Sequence, residues 1–175
     1  EGKQVFSLTP FGKICSILGI TIETSDQFYW WFKSLDKNCL KEGLNITVLL
    51  NQLLSTEDGK KLGLLRTELS YQKIAKLFNE HCNQSKISLK LGRDNKRNFR
   101  LMVTLLAMHD WIEGIPTIVI EDRYDISISS IYEVSKELAR FVRVLYLLTQ
   151  NMRDIFSAVE AGEIKIIVSP RRKVN

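Results

Sequence analysis

Apolar residues recur through this chain at i, i+3, i+4 and i+7, the spacing of one face of a helix, and almost nowhere at the two-residue spacing of a strand. Val5-Phe6-Ser7-Leu8 is strand-like, after which Thr9 and Pro10 form an N-cap and first-turn pair. Phe11, Ile14, Ile17 and Leu18 give the following helix its apolar side, and Gly19 can take the left-handed conformation that stops it. Thr24-Ser25-Asp26-Gln27 reads as a capping box ahead of Phe28, Trp31, Phe32 and Leu35. Trp30 points off that face, so it either packs on a neighbouring module, the expected fate for a ring of its size, or is exposed. Asn45 caps a helix through Leu54, and Ser70 caps another with Ile74, Leu77 and Phe78 inward; Gly59 and Gly63 loosen the connection between them.

The polar, basic stretch 81–95 reads as a loop or partly ordered excursion and as the mobile part of the chain. From Asn95 to Ile112 the chain is apolar nearly all round, which predicts a helix at the centre of a bundle. Pro116 starts a short helix to about Arg123, Asp125 turns the chain, and Ser130, with Glu133 three residues on, caps a long helix. A last helix near Met152 to Ala161 ends at Gly162, and Ile164 to Val168 forms a strand or tail. The expected fold is therefore an all-α bundle of seven or eight helices, without an internal repeat.

The long helix carries a chemical asymmetry. Tyr132, Lys136, Arg140 and Arg143 fall within roughly 80° of arc, while Ile131, Val134, Leu138, Val142 and Leu145 mark another face. An aromatic ring among three cations suits a nucleic-acid strand, since the ring can stack on a base while the cations meet phosphates. The plain alternative is a solvated basic face, diluted by Glu133 and Glu137.

A net charge of +5 leans towards a polyanionic partner, although 25 basic residues against 20 acidic ones is a mild excess. Its placement says more. Lys86, Lys90, Arg93, Lys96, Arg97 and Arg100 face only Asp94, and Arg171-Arg172-Lys173 repeats the theme. Lys96, Arg97 and Arg100 thus join the stripe as candidate nucleic-acid contacts. Cys15, Cys39 and Cys82 are odd in number and lack C-x-x-C spacing, so neither a disulfide framework nor a zinc site is expected. His81 and Cys82 are neighbours that diverge by about 100° on a helix, so no metal site is expected there either. Without a long apolar run or a signal-peptide pattern, the expectation is an intracellular protein without membrane contact, cytoplasmic or, in a eukaryote, nuclear. Its start at Glu1 rather than Met suggests a fragment or processed chain.

Catalytic groupings are missing from the sequence. Gly12-Lys13 is followed by Ile14 with no glycine five positions earlier, so a phosphate-cradling P-loop is not present. Only two histidines exist, and His109 on the central helix reads as a packed core residue rather than a base. Asp110 and Glu113 suit solvation or a pair with Arg123. No catalytic residue is assigned.

The run Leu105-Leu106-Ala107-Met108-His109-Asp110-Trp111-Ile112-Glu113-Gly114-Ile115-Pro116, then Ile120 to Tyr124, then Ser129-Ser130-Ile131-Tyr132, resembles the helical domain of superfamily-two helicases of the Ski-two-like group. The likeness is strongest to archaeal repair helicases related to the helicase part of polymerase theta. Leu8-Thr9-Pro10-Phe11-Gly12 is similar to the end of the winged-helix domain that precedes the bundle in that family. The resemblance implies three parts: the end of a winged-helix module over 1–22, a ratchet-like bundle over 23–163, and a tail or short strand over 164–175. It implies an accessory nucleic-acid-binding domain of an ATP-dependent helicase, with single-stranded DNA, in preference to RNA, and the motor domains of the same protein as partners. ATP and magnesium would belong to those motor domains and not to this chain. Two departures stand out. Ser129-Ser130 replaces the usual Gly-Asp before the ratchet helix, and Glu133 and Arg140 stand nearest the family's base-contacting Arg and Trp. Tyr132, with Arg140 or Arg143, is the substitute that the stripe offers.

Two other functions stay open. A regulatory bundle would dock on proteins and never touch nucleic acid, using Trp30 and the basic 86–100 segment. A duplex-binding regulator would use Ile118–Tyr124 and Ile131–Leu145 as a helix-turn-helix, with base-reading residues at the start of the second helix. There the chain has only Ser127, Ser129 and Ser130, with the cations further along.

Overall fold

The structure, a computed structural model, describes residues 10–34 and 45–151. Those residues form an all-α bundle of seven helices: α1 (Pro10–Leu18), α2 (Ile22–Ser34), α3 (Ile46–Ser55), α4 (Tyr71–Gln84), α5 (Asn95–Ile112), α6 (Thr117–Tyr124) and α7 (Ile128–Asn151). A single 3-10 turn, Gly59–Lys61, follows α3, and no strand occurs among the described residues. The strand expected at 5–8, the helix at 152–161, the segment 164–168 and the Arg171-Arg172-Lys173 cluster lie outside them.

α5 is the hub, as its all-round apolar sequence requires. Leu101 to Met108 are buried without interruption, and α3, α4, α6 and α7 all pack on this helix. The one polar residue of that run, Thr104, is fully satisfied: its hydroxyl donates to the Arg100 carbonyl at 2.8 Å and accepts the Leu65 N–H at 2.9 Å. A buried hydroxyl without such partners would cost about 1–3 kcal/mol. A second, smaller cluster gathers Cys15, Phe28, Leu49, Leu53 and Phe141, so α1 and α2 pack with α3 and the later part of α7. α7 therefore spans both clusters, with Ile131, Val134 and Leu138 in the first and Phe141 in the second.

The helix ends follow local chemistry. α1 closes at Gly19, with φ of 65°, where the Ile20 N–H reaches the Cys15 carbonyl and the Gly19 N–H reaches that of Ser16. Asn45 and Ser70 cap α3 and α4 as their sequences predict. Two other caps move. α2 begins three residues before the expected box, with Thr21 accepting from the Thr24 N–H at 3.2 Å. The cause is tertiary: the Asp58 carboxylate holds Thr21 by its N–H at 2.7 Å and its hydroxyl at 2.9 Å, drawing Thr24 and Ser25 into the buried part of the helix. Ser127, not Ser130, caps α7, accepting from the Ser130 N–H at 3.3 Å. Pro116 sits at the cap position of α6 rather than inside it.

Two other expectations change. Residues 81–84 complete α4 instead of opening a loop, and α4 turns at Lys86 with φ of 52°. Gly59 is buried against α3, where a Cβ would meet the Leu53 carbonyl oxygen at 2.0 Å, so it fixes the connection instead of loosening it. Trp30, expected either to pack on a neighbouring module or to be exposed, is 60% exposed on this chain, in edge contact with the Tyr29 ring.

Candidate nucleic-acid interface

α7 is a 24-residue helix, about 36 Å long. Its entry is set by Asp125, at φ of 50°, which ends α6 and turns the chain. The Glu121 carbonyl then accepts the Ile126 N–H at 3.3 Å, tying the turn back to α6. From there helical periodicity divides the surface. Ile131, Val134 and Leu138 are buried against the main core, which fixes the rotation of the helix. That rotation leaves Tyr132, Lys136, Arg140 and Arg143 exposed on the other side, with the Tyr132 ring 53% accessible. The structure thus brings together the four candidates of the stripe over about 16 Å of helix axis. The buried side also includes Phe141, which the periodicity argument had passed over.

Only one of the stripe's cations has an ion pair among the described residues: Arg140 meets Glu137 at 3.8 Å, a loose, exposed pair of little energetic weight. Arg140 also lies on a hollow of about 170 Å³ between the Gly19–Ile20 corner, the 3-10 turn and α7, shared with Asp58, Lys61 and Phe141. Burial alone would raise the Asp58 carboxyl. The hydrogen bonds from Thr21 and Thr24 and the nearby Lys61 charge outweigh it and hold Asp58 below the usual carboxylate range.

The three cations of the 96–100 segment fare differently from the stripe. Asp94 caps α5 by accepting the Arg97 N–H at 3.0 Å, placing Lys96, Arg97 and Arg100 in its first two turns. Lys96 is exposed. Arg97 has a structural task, because its guanidinium donates to the Leu54 carbonyl at 2.8 Å and the Lys60 carbonyl at 3.3 Å. It closes the open C-terminal end of α3 onto the start of α5. Arg100 is half-buried, with its carbonyl engaged by Thr104. Lys96 alone of the three is exposed with no side-chain hydrogen bond or ion pair among the described residues.

A polar joint lies apart from the stripe; its Asp110–Arg123 pair is one of the two roles the sequence offered for Asp110, while its histidine contact was missed. His81 of α4 packs edge-on against His109 of α5, ring centroids 4.5 Å apart, and its Nε2 is 2.8 Å from the hydroxyl of buried Thr47 on α3. His109 Nδ1 lies 3.7 Å from Asp110, which in turn accepts from Arg123 and from the Tyr124 hydroxyl of α6. Burial pushes the Asp110 carboxyl up, but His109, Tyr124 and Arg123 together hold it below its ordinary value. Burial lowers His81, with the His109 charge acting in the same direction and Asp110 against it. Burial and then the Asp110 bond raise Tyr124 well above its ordinary range. Four helices meet in this network. Its groups are all engaged with one another, and no set of three or more His, Cys, Asp or Glu residues among the described residues could hold a metal ion.

The fold and the stripe together define an all-α bundle with one long helix that presents an aromatic and cationic face. No protein-family model matches this chain, and it matches no curated protein and no solved structure. Among the described residues, no helix is long and apolar enough to cross a membrane.

Proposed function

We propose that this chain is an accessory helical domain of an ATP-dependent superfamily-two helicase and that α7 lies along the translocating single strand. The observation that carries the reading is the exposure of Tyr132, Lys136, Arg140 and Arg143 on one side of α7, while the opposite side anchors it in the core. A rigid, anchored helix can hold a strand in register between motor steps. Stacking of about 1–3 kcal/mol per base retains the strand yet lets it go. Tyr132 is the stacking ring, and Lys136, Arg140 and Arg143 are the phosphate contacts, with Lys96 as an outlying cation. ATP and magnesium act in the motor domains, and this chain moves with them. The polymer is DNA, following the likeness to repair helicases.

The same geometry weighs against a helix-turn-helix reading of duplex DNA. The residues that would read bases at the start of α7 are serines bonded to one another, Ser127 to Ser130 at 2.7 Å and Ser127 to Ser129 at 3.2 Å. The cations begin two turns further on.

Fluorescence-anisotropy titration against matched single-stranded and duplex oligonucleotides, of DNA and of RNA, at two salt concentrations tests the reading. Salt-sensitive binding with a preference for single-stranded DNA is expected. A duplex preference overturns the assignment in favour of a helix-turn-helix regulator, and no binding at low salt leaves a protein-docking bundle.

A further inference from the structure

The stripe on α7 does not end at α7. Arg140 borders the hollow of about 170 Å³ whose other cationic wall is Lys61, from the 3-10 turn 79 positions earlier in the chain, with Ile20, Leu62 and Phe141 lining the space between. We propose that this hollow seats one phosphate of the bound strand, clasped by Lys61 and Arg140; the proposal rests on the reading of α7 as the strand-bound helix.

Three observations support it. Both cations are held only loosely, Lys61 at 3.5 Å from Asp58 and Arg140 at 3.8 Å from Glu137, and exposed pairs at such distances contribute little and exchange readily for a phosphate. A planar guanidinium meets two phosphate oxygens at once, while a lysine acts as a point charge beside it. The one carboxylate in the hollow is half committed: Asp58 Oδ2 accepts both the N–H and the hydroxyl of Thr21, while Oδ1 faces Lys61 at 3.5 Å, so a phosphate takes Lys61 in exchange for that one loose contact. The position also fits the path of a strand. Arg140 stands one helical turn beyond Lys136 and about 12 Å beyond Tyr132, so a backbone following the stripe arrives at the hollow. Gly19, at the rim, has open space where a side chain would stand.

Lysine 61 is therefore a strand contact supplied by another part of the bundle, and it sets the direction in which the strand leaves α7. Its neighbour Lys60 is the natural control, since it sits on the same turn, pairs with Glu57 and does not line the hollow. Lys61 is 67% exposed, so its replacement leaves the fold intact, which a thermal melt checks.

The test is an anisotropy titration of the full chain with fluorescein-labelled oligothymidylate across a series of salt concentrations, for the parent and for Lys61→Ala, Lys60→Ala, Lys136→Ala, Arg140→Ala and the double variant Lys61→Ala with Arg140→Ala. Lys61→Ala is expected to weaken binding roughly tenfold at low salt and to lower the slope of log affinity against log salt by less than about 0.7, the share of a whole phosphate contact, because Arg140 still faces that phosphate, with Lys60→Ala matching the parent. The Lys61 and Arg140 losses are expected to be less than additive, because both cations address one phosphate. If Lys136→Ala weakens binding while Lys61→Ala behaves like Lys60→Ala, the hollow is not a phosphate seat and the reading of α7 survives. Equal losses for Lys60→Ala and Lys61→Ala mean a diffuse field and overturn the seat as well. If the parent does not bind the probe, both the seat and the strand-bound helix are refuted.

Discussion

The Tyr124 hydroxyl donates to Asp110 Oδ2 at 2.8 Å, and the same carboxylate oxygen receives Arg123, so one acidic residue at the end of α5 fastens the whole of α6. Because α6 delivers the chain to α7, this bond fixes where the stripe begins. Asp110→Ala is expected to destabilise the bundle by about 1–3 kcal/mol, since it leaves the buried Tyr124 hydroxyl without an acceptor, whereas Tyr124→Phe costs about 1 kcal/mol. Urea denaturation checks both. Equal stability of Asp110→Ala and the parent shows that the network does not hold α6.

The joint between His81 and His109 makes stability depend on pH. The ordinary histidine value is 6.5, and burial, with the His109 charge, lowers His81 below it in the folded chain. The unfolded chain then takes up a proton more readily than the folded one, so the contribution is complete above about pH 6.5 and is lost as pH falls below it. Asp110, held below its ordinary 3.8, acts in a separate window, present above that value and lost below it. Urea midpoints at pH 7.5 and pH 5.5 should show a less stable protein at the lower pH and a smaller difference in His81→Gln. An unchanged midpoint in the parent argues against a half-buried, neutral His81.

Gly59 and Gly63 separate two kinds of glycine. A methyl group at Gly59 meets the Leu53 carbonyl oxygen at 2.0 Å, backbone that cannot move aside cheaply, while Gly63 has open space around its Cβ position. Gly59→Ala is expected to cost at least about 1–3 kcal/mol by overpacking and Gly63→Ala to change little. Thermal melts of the two variants compare them directly. A mild Gly59→Ala would mean that the turn is looser than its packing indicates.

Arg97 illustrates how the same composition signal splits. Its two hydrogen bonds to the Leu54 and Lys60 carbonyls predict that Arg97→Ala lowers stability by about 1–2 kcal/mol, while Lys96→Ala leaves it unchanged. A chemical-denaturation series decides, and equal stability of the two variants would return Arg97 to the set of surface cations.

The sequence made the bundle legible wherever a single face had to be buried. The uninterrupted apolar run of 101–108 became the hub, Asn45 and Ser70 capped as their chemistry requires, and Gly19 closed α1. The misplaced caps at Thr21 and Ser127 share one cause, that several hydroxyl residues in a row compete for the role. At Thr21 a partner 37 positions away, Asp58, decides it. Gly59 reads as a loosening glycine because its close neighbour, the Leu53 carbonyl, is a tertiary fact. The stripe was visible since it lies on one helix. Lys61 was not, because the hollow it shares with Arg140 joins residues 79 positions apart. The His81–His109 contact joins residues 28 positions apart on different helices, beyond the reach of any local pattern.

The central claim is that the cations of α7 meet phosphates and that Tyr132 meets a base. The most direct measurement is the salt dependence of binding to single-stranded DNA for the parent, for Tyr132→Ala, and for Lys136, Arg140 and Arg143 replaced together by Ala. The account predicts a slope about 2 units shallower for the triple variant and, for Tyr132→Ala, an affinity loss of about 1–3 kcal/mol with the slope unchanged. A triple variant that binds with the parent's slope would contradict it.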